Sequence, residues 1–302
     1  MKKLLLIYNP KAGKAKLHGS LADVIEIFDN AGYQVTVRPT HGPKDTTRFI
    51  TDYAKDYDRI VISGGDGTLN DGLCGILEAK KTGINPCPLG YLPTGSTNDF
   101  ATSLGLPTDP AEAAECAVSG EVFSCDAGFF NGHPFAYVAA FGAFTEVPYA
   151  TPQKNKNTLG HLAYVLEGIK TLPQIKGIPL TVTTEDRSFS GRYLFGMVSN
   201  SNSIGGVNGF FASQQVQFDD GWMELLLIEE PNSLTEQSEL LADLLSMNLD
   251  SKYLTVLKTR RIVFTAEEPL AWTLDGEFGG TPTEAEICAV TDAYKIVIPK
   301  KD

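Results

Sequence analysis

The segment Arg59-Ile-Val-Ile-Ser-Gly-Gly-Asp-Gly-Thr-Leu-Asn-Asp71 joins a continuous apolar run to a helical pattern through a glycine-rich turn. Arg59–Ser63 reads as a strand that ends in Gly64-Gly65, and the earlier run Lys3–Tyr8 is continuous and apolar, as expected of a strand buried on both faces. Leu69–Ala79 has the spacing of a helix. Gly64, Gly65 and Gly67 let the backbone take positive φ and come close to a ligand. The helix that follows offers unpaired N–H groups and the positive end of its dipole, which suit a phosphate. Asp66 in such a turn would repel phosphate unless a divalent cation stood between them, the arrangement Mg²⁺ favours with one or two carboxylates plus substrate oxygens. The plain alternative is an ordinary strand–helix turn with Asp66 as a helix cap. A dinucleotide fingerprint is excluded because Asn70 replaces its last glycine, and a Walker loop because Tyr8 stands where Gly13-Lys14 would need a glycine.

The same rhythm extends on both sides. Lys3–Tyr8, Tyr33–Val37 and Pro88–Leu92 read as further strands, and Ser20–Ala31 and Thr46–Tyr53 as helices. Strand, crossover helix, strand is the pattern of a doubly wound parallel sheet, expected over residues 1–125. Two more small-residue loops follow strands: Asn9-Pro10-Lys11-Ala12-Gly13 and Pro93-Thr94-Gly95-Ser96-Thr97-Asn98-Asp99. Ligands of open α/β sheets bind outside the carboxyl ends of the strands, so the three loops are expected to converge on one nucleotide. Lys11 and Lys14 suit either a phosphate or a solvated loop. The four histidines are scattered, and none is assigned to catalysis.

Near Cys125 the pattern changes to short alternating segments: Ser124–Phe130, Pro134–Ala140, Leu180–Glu185, Gly191–Ser199, Trp222–Ile228, Arg261–Thr265, Trp272–Leu274 and Thr283–Val290. They predict a β-rich body over 126–292, a sandwich or partly open barrel. Helical patterns at Leu159–Leu172 and Leu234–Met247 interrupt it. The former, preceded by Lys154 and Lys156, is equally readable as a membrane-docking helix or as a core-packed one.

Composition narrows the function. The 302 residues carry 25 Lys+Arg against 37 Asp+Glu, a formal charge of −12, which disfavours nucleic acid as a partner. Five widely spaced cysteines without a CxxC argue for thiols in a reducing cytosol rather than a disulfide scaffold or zinc knuckle. Leu4–Tyr8 is too short for a signal-peptide core. A cytoplasmic protein with peripheral contact to the inner face of the membrane is expected.

Asn9–Gly13, Gly64-Gly-Asp-Gly-Thr68, Pro93–Asp99 and a late Leu274-Asp-Gly-Glu277 stand in an order and at separations that resemble the diacylglycerol kinase catalytic-domain family, the bacterial lipid kinases related to sphingosine kinases. The likeness covers nearly the whole chain. It implies an α/β ATP-binding domain, to which residues 293–302 return, and a β-rich lipid-binding domain. It implies that Asn9, Pro10, Lys11, Ala12, Gly13, Thr40, Gly64, Gly65, Asp66, Gly67, Thr68, Leu69, Asn70 and Thr94 cradle ATP. Asp66 and Asp99 would organise a catalytic Mg²⁺, Asp126 would support them, and Glu277 would be the general base. A structural Mg²⁺ is implied at Asp220, with the carbonyls of Gln217 and Trp222. The expected reaction is ATP- and Mg²⁺-dependent phosphorylation of a lipid hydroxyl, diacylglycerol to phosphatidic acid. The partners are then ATP and a lipid alcohol at a membrane surface, and a homodimer is compatible with this. The rivals are an NAD-kinase-like kinase of a soluble metabolite and a catalytically inactive nucleotide- or lipid-binding regulator. The triplet Asp66, Asp99 and Glu277 argues against the latter.

Overall fold

The computed structural model describes residues 1–14, 16–96, 98–143, 176–200, 203–204, 207–208, 217–246, 248 and 250–300. The chain forms two compact units, Met1–Ala127 with Thr291–Asp302, and Gly128–Val290. Gln153–Asn157 and the helical pattern Leu159–Leu172 lie outside the described residues.

In the first unit β1 (Lys2–Tyr8), α1 (Leu21–Asn30), β2 (Tyr33–Pro39), α2 (Asp45–Tyr53), β3 (Arg59–Gly64), α3 (Asp66–Lys81), β4 (Leu89–Pro93), α4 (Asp99–Ser103) and α5 (Pro110–Ser119) follow one another. The strands lie in the order β2-β1-β3-β4, all parallel. The end of a long strand, Glu284–Ile298, adds in parallel beside β4, with Ile296 level with Leu89. Leu4–Ile7 and Ile60–Ile62 are fully buried, so their unbroken apolar runs meet apolar neighbours on both faces. From β1 the chain moves one way to β2, then crosses to β3 on the other side of β1. In a doubly wound sheet such a reversal opens a crevice at the strands' carboxyl ends, here between Tyr8 and Ser63, which sit level in the register.

β5 (Glu121–Phe130) leads the chain into the second unit. There follow β6 (His133–Phe135), β7 (Val138–Gly142), β8 (Ile178–Thr184), β9 (Ser188–Ser199) and a short ribbon of β10 (Ser203–Ile204) and β11 (Val207–Asn208). After these come β12 (Met223–Glu229), α6 (Leu234–Leu245), β13 (Leu254–Thr259), β14 (Arg261–Ala266), β15 (Trp272–Leu274), β16 (Glu277–Gly280) and β17 (Glu284–Ile298). The antiparallel sheet branches at β9, whose residues 188–193 pair with β8, 195–199 with β7, and 193–199 with β12. The branch folds the sheet around one core, filled by alternate residues: Leu180 and Val182, Leu225 and Leu227, Ile262 and Phe264, Ala285 and Ile287. At its centre Trp272 is ringed by Phe130, Phe141 and Phe264, with ring centroids 4.8–5.0 Å away.

The α/β unit and the β-rich unit are the fold class the sequence implies. Several elements differ in extent. α3 starts at Asp66 rather than Leu69, because Gly65 is its N-cap and a carboxylate is favoured in a first turn, which outweighs the low helix propensity of Gly67. The segment Thr283–Val290 runs on as β17 to Ile298. β13, α4 and α5 stand where no element was expected. All five cysteines are thiols. Among the described residues no helix is long and apolar enough to cross a membrane.

Candidate active site

The crevice between β1 and β3 is built by glycines that let three loops touch through their backbones. The Asn9 N–H donates to the Ser63 carbonyl at 2.8 Å, so the first loop leaves β1 hydrogen-bonded to β3. The Asn9 side chain accepts from the Lys11 N–H at 2.9 Å and donates to Thr68 Oγ1 at 3.4 Å. Gly13 has φ +50°, and a Cβ there would overlap the Thr94 carbonyl oxygen. Gly95 is equally constrained, since its Cβ would overlap Gly65 Cα. The first, second and third loops therefore meet at Gly13, Gly65 and Gly95. Thr40 stands beside them at the end of β2, its N–H donating to the Tyr8 carbonyl at 2.9 Å.

The floor is polar and satisfied. The Gly64 carbonyl accepts from the N–H groups of Thr94 (2.9 Å) and Gly95 (3.1 Å) and from the Tyr91 hydroxyl (3.2 Å). Buried Ser63 and Thr94 join their hydroxyls at 3.1 Å. Above it α3 begins at Gly65 with no side-chain cap, so its first-turn N–H groups are not blocked by a capping oxygen. Asn98, which the sequence reading left without a role, takes φ +56° and clasps Gly95, accepting from its N–H at 2.9 Å and donating to its carbonyl at 3.1 Å. A polar residue just ahead of a short helix was its one sequence signal.

Asp66 and Asp99 are the first residues of α3 and α4, and the negative charge of Asp99 acts on the Asp66 carboxyl. Asp66 Oδ1 accepts from the Phe100 N–H at 3.4 Å. Burial, and then the negative charge of Asp99, push the Asp66 carboxyl up to about 6. A pair of like charges held in a half-buried loop is what a divalent cation relieves, so these residues fit a Mg²⁺ that takes its remaining ligands from phosphate and water. No cluster of three or more His, Cys, Asp or Glu suited to a metal occurs among the described residues. Asp126 is 3% exposed, and one of its oxygens accepts from the Asp292 N–H at 3.0 Å.

In the second unit, Asp275 and Gly276 form the two-residue loop of the β15–β16 hairpin, both at positive φ. Asp275 is not a bystander of its motif. Its carboxylate accepts from the N–H groups of Ala136 (2.6 Å), Tyr137 (2.9 Å) and Val138 (3.0 Å), while its own N–H donates to the Val138 carbonyl at 2.8 Å. The hairpin is thus clamped to the segment leading into β7, and it holds Glu277 exposed at the first position of β16.

Gln217, Asp220 and Trp222 lie elsewhere in that unit. Asp220 Oδ1 accepts from the Trp222 N–H at 2.9 Å, and Oδ2 stands 3.4 Å from Lys258 Nζ. The Asp220 carboxylate is thus already shared with an ammonium, whose charge opposes a divalent cation at the same oxygens.

A sequence model of the diacylglycerol kinase catalytic domain matches residues 3–130. The "Diacylglycerol kinase" of Bacillus subtilis (strain 168) is 30% identical, covering 100% of this chain and 98% of its own. That of Staphylococcus saprophyticus is 32% identical over 92% of this chain and 90% of its own. A crystal structure of a diacylglycerol kinase from Bacillus anthracis str. Sterne shares the fold with a TM-score of 0.76 at 21% identity, over 98% of this chain and 97% of that one. A second Bacillus anthracis crystal structure reaches 0.81 at 24%, over 98% and 95%. Since the identity runs the length of both chains and the matched domain contains all three glycine loops, this chain belongs to the diacylglycerol kinase family of lipid kinases.

Proposed function

We propose that this protein transfers the γ-phosphoryl group of ATP to the hydroxyl of a diacylglycerol, giving phosphatidic acid, with Mg²⁺ as the catalytic ion. The observation that carries the reading is the meeting of three glycine loops at the β1–β3 crevice, with Asp66, a carboxyl raised by burial and by the charge of Asp99, at the start of the helix that follows. In it Asn9–Gly13, Thr40, Gly64–Asn70 and Thr94 cradle the nucleotide, and the open first turn of α3 receives its phosphates. Asp66 and Asp99 would hold the ion, which supplies neutralisation of the charge on the phosphate oxygens, and Asp126 would buttress them. Phosphoryl transfer asks little covalent work of a protein, so positioning and charge account for most of the rate. Glu277 accepts the proton of the lipid hydroxyl as that oxygen bonds to the γ-phosphorus and the bond to the ADP oxygen breaks. Asp275 orients the base through its hairpin. Diacylglycerol stays in the bilayer, each buried CH₂ being worth about 0.8 kcal/mol, so the reading puts the reaction at a membrane surface.

The test is a panel of acceptors with labelled ATP and Mg²⁺: diacylglycerol and other lipid alcohols in mixed micelles, and NAD in solution. Label in a lipid phosphate supports the reading. Label in NAD would establish the soluble-metabolite alternative, and nucleotide binding without transfer to any acceptor would establish an inactive regulator.

A further inference from the structure

Asp220 belongs to a cluster with Glu224 and Lys258 that the phosphoryl-transfer chemistry does not use. Glu224 on β12 and Lys258 on β13 are direct cross-strand partners in the antiparallel register. Opposite charges in such positions attract. Glu224 is 1% exposed, its Oε1 stands 3.3 Å from Lys258 Nζ, and its Oε2 has no hydrogen-bond partner among the described residues. The same ammonium reaches Asp220 Oδ2 at 3.4 Å, and the Lys258 side chain itself is two-thirds buried. Lys258 thus bridges two carboxylates, one of them deep in the sheet. A second cation closes the neighbourhood, since the Arg260 guanidinium lies over the Trp222 ring at 4.5 Å. A divalent ion placed on Asp220 would have to sit against the Lys258 ammonium, and the two like charges would repel.

We infer that Lys258 is the resident cation of this unit: its ammonium is shared between Asp220 and Glu224 in the place where a structural Mg²⁺ is expected, and the β-rich unit is held together without a divalent metal. The physical requirement is the same for either cation. Without Lys258 the buried Glu224 would either strand its charge in a medium that solvates it poorly or have to take up a proton, the direction in which burial already pushes it. A lysine supplied by the facing strand meets that requirement whenever the fold forms, independently of metal supply.

The experiment uses the full chain without nucleotide. Mn²⁺ binding, followed by its paramagnetic signal, is compared between wild type and Asp220→Asn, and thermal unfolding is recorded in EDTA and in millimolar Mg²⁺. The expected result is the same Mn²⁺ stoichiometry in both proteins, and a Tm response to Mg²⁺ that Asp220→Asn leaves unchanged. Lys258→Met should lower Tm in EDTA by about 5 °C, and Mg²⁺ should restore part of that loss only while Asp220 is present. Loss of one Mn²⁺ site on Asp220→Asn, or a Mg²⁺-dependent rise in wild-type Tm that this substitution abolishes, would overturn the inference. That comparison stands even if Lys258→Met does not fold.

Discussion

Asp66 carries two tensions at once, a carboxylate partly out of water and the negative charge of Asp99, and both favour its protonated form. The sign of the consequence for stability follows. Its folded-state pKa is about 6 against an ordinary 3.8, so the carboxyl costs nothing below about pH 4 and costs most once pH has risen through about 6. Asp66→Asn removes that cost. In EDTA the variant should melt with the wild type at pH 4 and above it at pH 8, by a few degrees for an upper bound of about 3 kcal/mol, while kinase activity is lost. A wild-type Tm advantage at pH 8 would show that Asp66 stabilises the loop. Gly95 makes a complementary prediction. Its Cβ would overlap Gly65, so Gly95→Ala should push the second and third loops apart and raise the KM for ATP at least about tenfold. An unchanged KM would mean that nucleotide does not depend on that contact. These glycines were legible in the sequence because glycine is needed only where the backbone is crowded or left-handed. Asn98 was not, since its value lies in a clasp on Gly95 that any polar turn residue could have offered.

At the scale of elements, the β15–β16 hairpin shows how far a local motif can be read. Asp-Gly between two short apolar runs announces a two-residue turn. Nothing local announces that the same carboxylate collects three N–H groups from residues 136–138, far earlier in the chain. Asp275→Ala should therefore strand three buried donors, lower Tm by several degrees and cut kcat, with the KM for ATP unchanged. A variant with normal Tm and reduced kcat would show that Asp275 acts at the reaction itself rather than through the hairpin. α3 was legible as a helix but not where it starts, because its N-cap Gly65 and its first-turn Gly67 scan as loop. α5 has a legible start in Asp109-Pro110, whose carboxylate accepts from the N–H groups of Ala111 and Glu112. The Glu224–Lys258 pair was out of reach, because it exists only through the register of β13, a half-buried strand whose pattern does not alternate cleanly.

Over the whole molecule, the order of motifs along the chain said more than any one of them. Each loop alone is an ordinary turn. Together they fall at the ends of β1, β3 and β4, and the strand order β2-β1-β3-β4 explains why those ends are the ones that matter. The resemblance implied that residues 293–302 return to the first unit, but that the single strand β17 carries the chain across was not legible, since a strand that changes partners midway keeps no single periodicity. The reading draws its nucleotide residues from the first unit and its base from the second, so the two assignments can be separated in one protein. The decisive measurement is the rate of phosphatidic acid formation from ATP and diacylglycerol in mixed micelles by wild type and Glu277→Gln, with ATP affinity measured in parallel. The account predicts lipid phosphate from the wild type, a kcat at least ~10²-fold lower in the variant, and equal ATP affinity in both. Near-wild-type turnover by Glu277→Gln, or no lipid phosphate from the wild type, would contradict it.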